Sequence, residues 1–315
     1  MQMPLTRREL LVRTGAGLGA ATVASAVAPA ASAAAPAEPF GYCLNTATLR
    51  GHKLSLVEEV DIAAQAGYQA IEPWVSEVRS YAEAGKSLPD LRKRIADRGL
   101  RVESSIGFSD WLSDDDARRA AGLELFKQDM ELVARIGAKR IAAPPKAAYS
   151  TPMTDLLRIA DRYRTLLELG KQQGVVPELE LWGSSKTLSR LGEIAFVIVE
   201  AAHADACALL DVFHIYKGAS HFASLRMFNG STLHVLHVND YPADPPREKV
   251  TDADRVYPGD GVAPYGELLR NLRDIGYRGF LSLELFNRGY WQQDALTVAR
   301  TGREKIQAVV QKALG

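Results

Sequence analysis

Four residues standing at the ends of apolar runs have the chemistry to share one cation: Glu180, Asp211, His237 and Glu284. The runs are Val175 to Glu180, Ala206 to Asp211, Leu233 to Val238 and Gly279 to Leu285. An apolar run that stops at an acid or an imidazole reads as a buried parallel strand whose C-terminal end opens into a site. Carboxylates with one imidazole make a mostly oxygen donor set, which suits Mn²⁺, Mg²⁺, Co²⁺ or Zn²⁺. We expect one divalent metal ion. A carboxylate buried within an apolar strand costs several kcal/mol unless it is paired or metal-bound. A structural salt bridge accounts for one such acid more readily than for acids on successive strands. Glu178 is read as structural and as facing away from Glu180.

Around this set lie candidate substrate contacts. His214 follows Asp211 by one helical turn and would sit just above the metal layer; a histidine bonded to a loop carbonyl is an equal reading. Arg255 lies in the turn-rich loop from Thr251 to Gly261, which is either solvated or folded over the site so that the guanidinium reaches substrate hydroxyls. Trp74, Trp111 and Trp182 follow the second, third and fifth strands. One Trp at a barrel mouth is ordinary packing, whereas several around one mouth suit the apolar faces of a sugar or cyclitol ring. Lys146, after the fourth strand, is a further candidate contact.

Placing these residues together requires eight strand–helix alternations. Strands are read at Phe40–Asn45, Ala70–Trp74, Leu100–Ile106, Arg140–Ala143 and in the four runs above. Intervening helices span Leu54–Ala66, Leu88–Arg98, Asp114 to Gly137, Thr154–Gln173, Leu188–Ala202, a short one near Phe222 to Met227, and Tyr265–Ile275, with Asp294–Leu314 last. Gly repeatedly ends a helix ahead of the next strand. This alternation argues an α/β fold, a single-domain (β/α)₈ TIM barrel, in which strand C-termini converge on one face. An open doubly wound sheet is the alternative, disfavoured because no Gly-rich turn follows the first strand. Pro177 lacks a ladder donor and is placed at the first pairing position of its strand.

At 315 residues and 47% hydrophobic, the chain can bury one large core. Lys and Arg number 38 and Asp and Glu 38, so no basic footprint for nucleic acid or an anionic membrane exists. The partner is expected to be a small, uncharged molecule; homo-oligomerisation is left open. Residues 1–33 read as a twin-arginine signal peptide: Arg7-Arg8 precede an Ala/Gly-rich run, and Ala31-Ser32-Ala33 offers a cleavage site. Export to the periplasm or beyond is therefore expected, with residues 34–315 as the barrel. A membrane anchor is disfavoured because the run is short and broken by Pro29. Cys43 and Cys207 are expected to be separate buried thiols.

Leu179-Glu180-Leu181-Trp182-Gly183, Leu210-Asp211-Val212-Phe213-His214, His237-Val238-Asn239-Asp240, the loop from Thr251 to Gly261 and Ser282-Leu283-Glu284-Leu285-Phe286 resemble the xylose-isomerase-like TIM barrel superfamily of sugar phosphate isomerases and epimerases, of AP endonuclease family 2 type. Within it the chain resembles inosose (2-keto-myo-inositol) isomerases. The resemblance implies that Glu180, Asp211, His237 and Glu284 bind the metal, that Glu180 and Glu284 are the acid/base pair, and that His214 and Arg255 contact substrate. It implies a metal-dependent isomerase or epimerase that moves a proton beside a ketone through a cis-enediolate. A keto-sugar lyase or hydrolase using the same chemistry and an exported, non-catalytic sugar-binding barrel are the rival readings. An endonuclease IV-type nuclease fits poorly, since Trp74, Ile106 and Asp252-Ala253-Asp254 stand where that enzyme type needs histidines and an Asp-x-His pair.

Overall fold

The computed structural model describes residues 39–315; the expected signal peptide lies outside them. The elements run β1 (Gly41–Asn45), α1 (Leu56–Gln65), β2 (Ala70–Glu72), α2 (Val75–Glu83), α3 (Leu88–Asp97), β3 (Arg101–Val102), α4 (Asp116–Arg135), β4 (Arg140–Ala143) and α5 (Leu156–Gln173). They continue with β5 (Val176–Glu180), α6 (Leu191–Ala201), β6 (Ala208–Asp211), α7 (Val212–Lys217), β7 (Leu233–Val238), α8 (Tyr265–Asp274), β8 (Phe280–Leu283) and α9 (Ala295–Leu314). Side-chain caps start several helices: Ser55 and Glu58 form a reciprocal box at α1, and Asp115, Asp155 and Asp294 cap α4, α5 and α9. At the other end of α5, Gly174 adopts φ 70°, where a side chain would be strained.

All strand pairs are parallel, in the order β3-β2-β1-β8-β7-β6-β5-β4. The sheet curls as a TIM barrel, and its ladder stops between β3 and β4. There the Ala142 amide donates to the Ser105 carbonyl at 2.8 Å, and Trp74 bridges to Ile106 beyond the ends of β2 and β3. β3 is shorter than the expected Leu100–Ile106, and α2, a short polar helix that the sequence pattern does not predict, begins at Val75 directly after Pro73-Trp74. Strands and helices bury one large apolar core, with two small clusters apart from it, one of Ile106, Ala142, Leu209 and Val235 and one of Cys43, Ala70 and Phe280. Among the described residues no helix is long and apolar enough to cross a membrane, and Cys43 and Cys207 are free and buried.

Two details correct the sequence reading. Pro177 is the second residue of β5 rather than the first. Val176 pairs with β4, but pairing with β6 begins only where the Leu179 amide reaches the Cys207 carbonyl, so the missing donor falls ahead of that ladder. Glu178 shares a face with Glu180, as strand positions two apart must. It is fully buried, accepts from Ser104 Oγ at 2.8 Å and lies 3.8 Å from Arg140 Nε, so its role is structural as expected.

Burial pushes the Glu178 carboxyl from its ordinary 4.5 up to about 8, against the pull of Arg140 and Ser104. The folded chain thus keeps a proton that the unfolded chain has lost. This contribution to stability is complete below about pH 4.5 and disappears as pH rises through about 8. Glu178→Gln should therefore lose less stability than the native chain between roughly pH 6 and pH 9, by a few kcal/mol in urea melts.

Candidate active site

Asp211, His237 and Glu284 meet because neighbouring strands hold them at one level. Asp211 ends β6 and pairs in register with His237 of β7, which pairs with Ser282 of β8; Glu284 follows β8 directly. Their ligand-type atoms all lie within 4.8 Å of one another, and all three side chains are buried. His237 Nδ1 stands 3.4 Å from Glu284 Oε2 and 3.7 Å from Asp211 Oδ2 and hydrogen-bonds to neither. Buried polar atoms left without partners are rare and call for an explanation. Two carboxylates and one imidazole converging on one point are a donor set that fits a divalent cation. Glu180, at the end of β5, is outside this trio. It faces the same cavity with Oε2 buried and unpartnered, so it stands beside the group as a further oxygen.

Asp211 also caps α7. The strand passes straight into this short helix, and Asp211 Oδ1 accepts from the His214 amide at 2.9 Å. Asn239 Nδ2 donates to the second Asp211 oxygen at 3.0 Å, while Asn239 Oδ1 accepts from the Phe213 amide. Asp211 is thus held from two sides by the strand end of β7 and by its own helix.

The loop after β7 does fold over the site, with Arg255 as its anchor. The guanidinium is buried; Nη1 donates at 2.9 Å to both Asp211 Oδ2 and Glu284 Oε2, and Nη2 donates to Asp252. It lies over the rings of Phe213 and Phe286, 4.6 and 5.1 Å from their centroids. Asp240 fixes the loop: its carboxylate accepts from the amides of Tyr241, Gly259 and Ala263, and its backbone pairs with Val256 in both directions. Gly261 is required there, because a Cβ would come within 2.2 Å of the Tyr241 carbonyl oxygen. Asp240 therefore serves the loop rather than a cation.

The two glutamates sit in contrasting fields. Burial alone would raise Glu284, but the charges of His237 and Arg255 hold its carboxyl below the ordinary value. Burial pushes Glu180 up to about 8; His237 pulls the other way and Glu284 adds to the rise. Burial would also raise Asp211, yet the Arg255 charge above all, together with the hydrogen bond from the His214 amide, keeps it low. Burial lowers His214 and outweighs Asp211, leaving a neutral ring. Since Arg255 Nη2 can only donate across its 3.3 Å contact to His214 Nε2, the His214 ring proton belongs on Nδ1, which has no partner.

Above the acids lies a cavity of about 280 Å³. Glu180, Glu284, His214, Arg255 and Asp252 form its polar floor and side, and Trp74, Phe108, Trp182, Tyr149 and Phe286 its aromatic wall. The rings touch in sequence: Trp74 to Phe108 at 4.8 Å, Phe108 to Trp182 at 6.1 Å, Trp182 to Tyr149 at 6.0 Å. Two sequence candidates stand elsewhere. Trp111 is fully buried against Tyr163 and donates to the Pro144 carbonyl. Lys146 is not among the lining residues; its ammonium donates to the Phe108 carbonyl at 3.0 Å and lies 3.7 Å from Asp110 Oδ2. Phe108, Tyr149 and Phe286 were missed because isolated loop aromatics look like ordinary packing. The position of Phe286, two residues after Glu284 at a strand end, was the available signal.

The model of the family described as xylose isomerase-like TIM barrel matches residues 60–309. An inosose isomerase of Bacillus velezensis is 26% identical over 273 residues, covering 86% of this chain and 97% of that protein. D-psicose 3-epimerase of Agrobacterium fabrum is 23% identical over 72% of this chain and 78% of its own length. Among solved structures, an IOLI protein with a binding zinc atom superposes with a TM-score of 0.80 at 23% identity, over 88% of this chain and all of that one. With the match spanning the barrel from α1 to α9, and with it every strand-end acid described above, the chain belongs to the xylose isomerase-like TIM barrel family.

Proposed function

We propose that the protein is a sugar or cyclitol isomerase or epimerase acting on the carbon beside a ketone, with an inosose-like ring as the substrate class. The observation that carries this reading is that Glu180 and Glu284 face one aromatic-walled cavity beside the Asp211–His237–Glu284 trio. A divalent cation held by Asp211, His237 and Glu284, with Glu180 beside them, would supply Lewis-acid polarisation of the substrate oxygens.

The chain's own residues account for the proton steps. Glu284, kept ionised by His237 and Arg255, removes the proton from the carbon next to the carbonyl, and the C–H electrons move to give an enediolate. Glu180, facing the same cavity, returns a proton to carbon. In the reverse direction the roles exchange. Arg255 holds Glu284 and Asp211 in place, and the neutral His214 ring lines the cavity beside them. Trp74 and Trp182 offer flat faces to the C–H side of a ring.

The cavity also argues against phosphorylated substrates. Its one lining guanidinium is already committed to three carboxylates, while Glu180, Glu284 and Asp252 face the same space. In deuterated water the protein with a divalent metal should exchange the α-proton of an inosose or an unphosphorylated keto-sugar and ignore keto-sugar phosphates. Chelation should abolish the exchange. No exchange with any neutral ketone would favour a binding protein, and loss of a β-substituent from the product would favour a lyase.

The same reading places the enzyme outside the cytoplasm, on the strength of Arg7-Arg8 and the run that follows. Replacing both arginines by lysine should retain it in the cytoplasmic fraction; unchanged export would refute this placement.

A further inference from the structure

We propose that Glu72 is a positioning residue that sets which nitrogen of His237 faces the site. The proposal rests on the reading of His237 as a cation ligand. Glu72 ends β2, three strands away from β7 in the sheet order, and reaches across the barrel interior beneath β1 and β8. It is fully buried and does not line the cavity, so it touches no substrate.

Three donors converge on one of its oxygens. Glu72 Oε2 receives Asn45 Nδ2 at 2.9 Å, Ser282 Oγ at 2.8 Å and His237 Nε2 at 2.9 Å. The Asn45 amide is oriented unambiguously, because its Oδ1 accepts from the Ala47 amide at 3.0 Å and from Trp74 Nε1 at 3.1 Å, which leaves Nδ2 as the donor. The same Nδ2 lies 3.2 Å from Glu284 Oε1. A carboxylate can only accept from these partners, so the contact at His237 Nε2 is an N–H donated to Glu72. The other ring nitrogen, Nδ1, is then the atom turned toward Asp211 and Glu284, where no hydrogen bond occupies it.

An outer acceptor that fixes the ring of a metal-binding histidine typically accounts for a 10- to 100-fold difference in metal affinity. Asn45 adds a second link. It ties Glu72 to Glu284 and to the indole of Trp74, so the aromatic wall, the base and the imidazole share one buried network.

The test uses the full chain, with Zn²⁺ alone as the probe. Titration calorimetry should show zinc binding weakened about 10- to 100-fold in Glu72→Ala. Glu72→Gln, which keeps an acceptor oxygen, should stay within a few-fold of the native protein. A purely structural Glu72 would shift the melting temperature and leave zinc affinity where it was; that result overturns the proposal. As a measurement that needs no variant, ¹⁵N NMR of the zinc-loaded native protein should place the His237 proton on Nε2, and a proton on Nδ1 overturns it too. His237→Ala separates the two levels of inference. If that variant binds zinc like the native chain, or the native chain binds none, the cation reading fails and carries this proposal with it. If only His237→Ala loses zinc, the reading stands and Glu72 is dismissed.

Discussion

Glu284→Gln is expected to lower turnover by about 10³-fold or more, a barrier increase of roughly 4 kcal/mol. The substitution removes the group assigned to take the substrate proton and one oxygen of the Asp211–His237–Glu284 trio. It preserves volume, and a Gln oxygen can still accept from either Asn45 Nδ2 or Arg255 Nη1, the two donors that the carboxylate now receives. Folding should therefore survive, which circular dichroism and a melt would check. The decisive readout is solvent deuterium entering the carbon beside the ketone. Native-like incorporation in this variant would mean that another group moves the proton. Glu178→Gln is the matched control: it too is a buried strand glutamate, but it does not line the cavity and should leave turnover unchanged.

Replacing Arg255 by Met should cost about 3–5 kcal/mol of stability, the usual consequence of removing one partner from a buried ion pair. The side chain is 1% exposed and bridges Asp211 and Glu284, so its loss leaves two carboxylates facing each other without their shared counter-charge. For a chain of this size the melting temperature should fall on the order of 10 °C, and turnover should fall with it as Glu284 is no longer held in place. Arg255→Lys should recover only part of either quantity, because a single ammonium cannot reproduce a planar fork serving three acids. The pH dependence has a definite sign. Asp211 and Glu284 are held below their ordinary values of 3.8 and 4.5, so the stability they contribute is present above those values and is lost as acid protonates them in the folded chain. The deficit of the Met variant should accordingly shrink as the pH is lowered through the carboxylate range. A deficit that stays constant there would show that Arg255 acts through packing on Phe213 and Phe286 instead.

Much of this site is legible in the sequence for a specific physical reason. A buried parallel strand tolerates almost nothing but apolar residues, so an acid or histidine at its C-terminal end stands out; this marks Glu180, Asp211, His237 and Glu284, of which the fold brings Asp211, His237 and Glu284 within 4.8 Å of one another. What the one-dimensional pattern lacked was neighbour information. Asn45 and Glu72 also close strands, yet nothing along the chain says that β2 and β7 face each other across the barrel or that Glu72 meets His237. For the loop that carries Arg255 the sequence leaves two fates open, solvated or folded over the site. The commitment of Arg255 to Asp211, Asp252 and Glu284 depends on how Asp240 folds that loop back, which no local pattern encodes. Lys146 looked like a cation aimed at the mouth because its backbone carbonyl partner, Phe108, is remote in sequence.

The gap in the ladder between β3 and β4 divides the ring unevenly. The candidate acids and the histidine sit on the continuously paired stretch from β5 to β8, whereas Ile106 and Phe108, part of the cavity wall, hang from the seam stitched by Ser105 and Ala142. Amide protons along residues 103–109 should accordingly exchange with solvent sooner than those of β6 to β8. A ring carrying an extra substituent could be admitted by reshaping that flank alone. A change confined to the seam would thus alter the cavity wall while the β5 to β8 stretch that carries the candidate acids stays as it is.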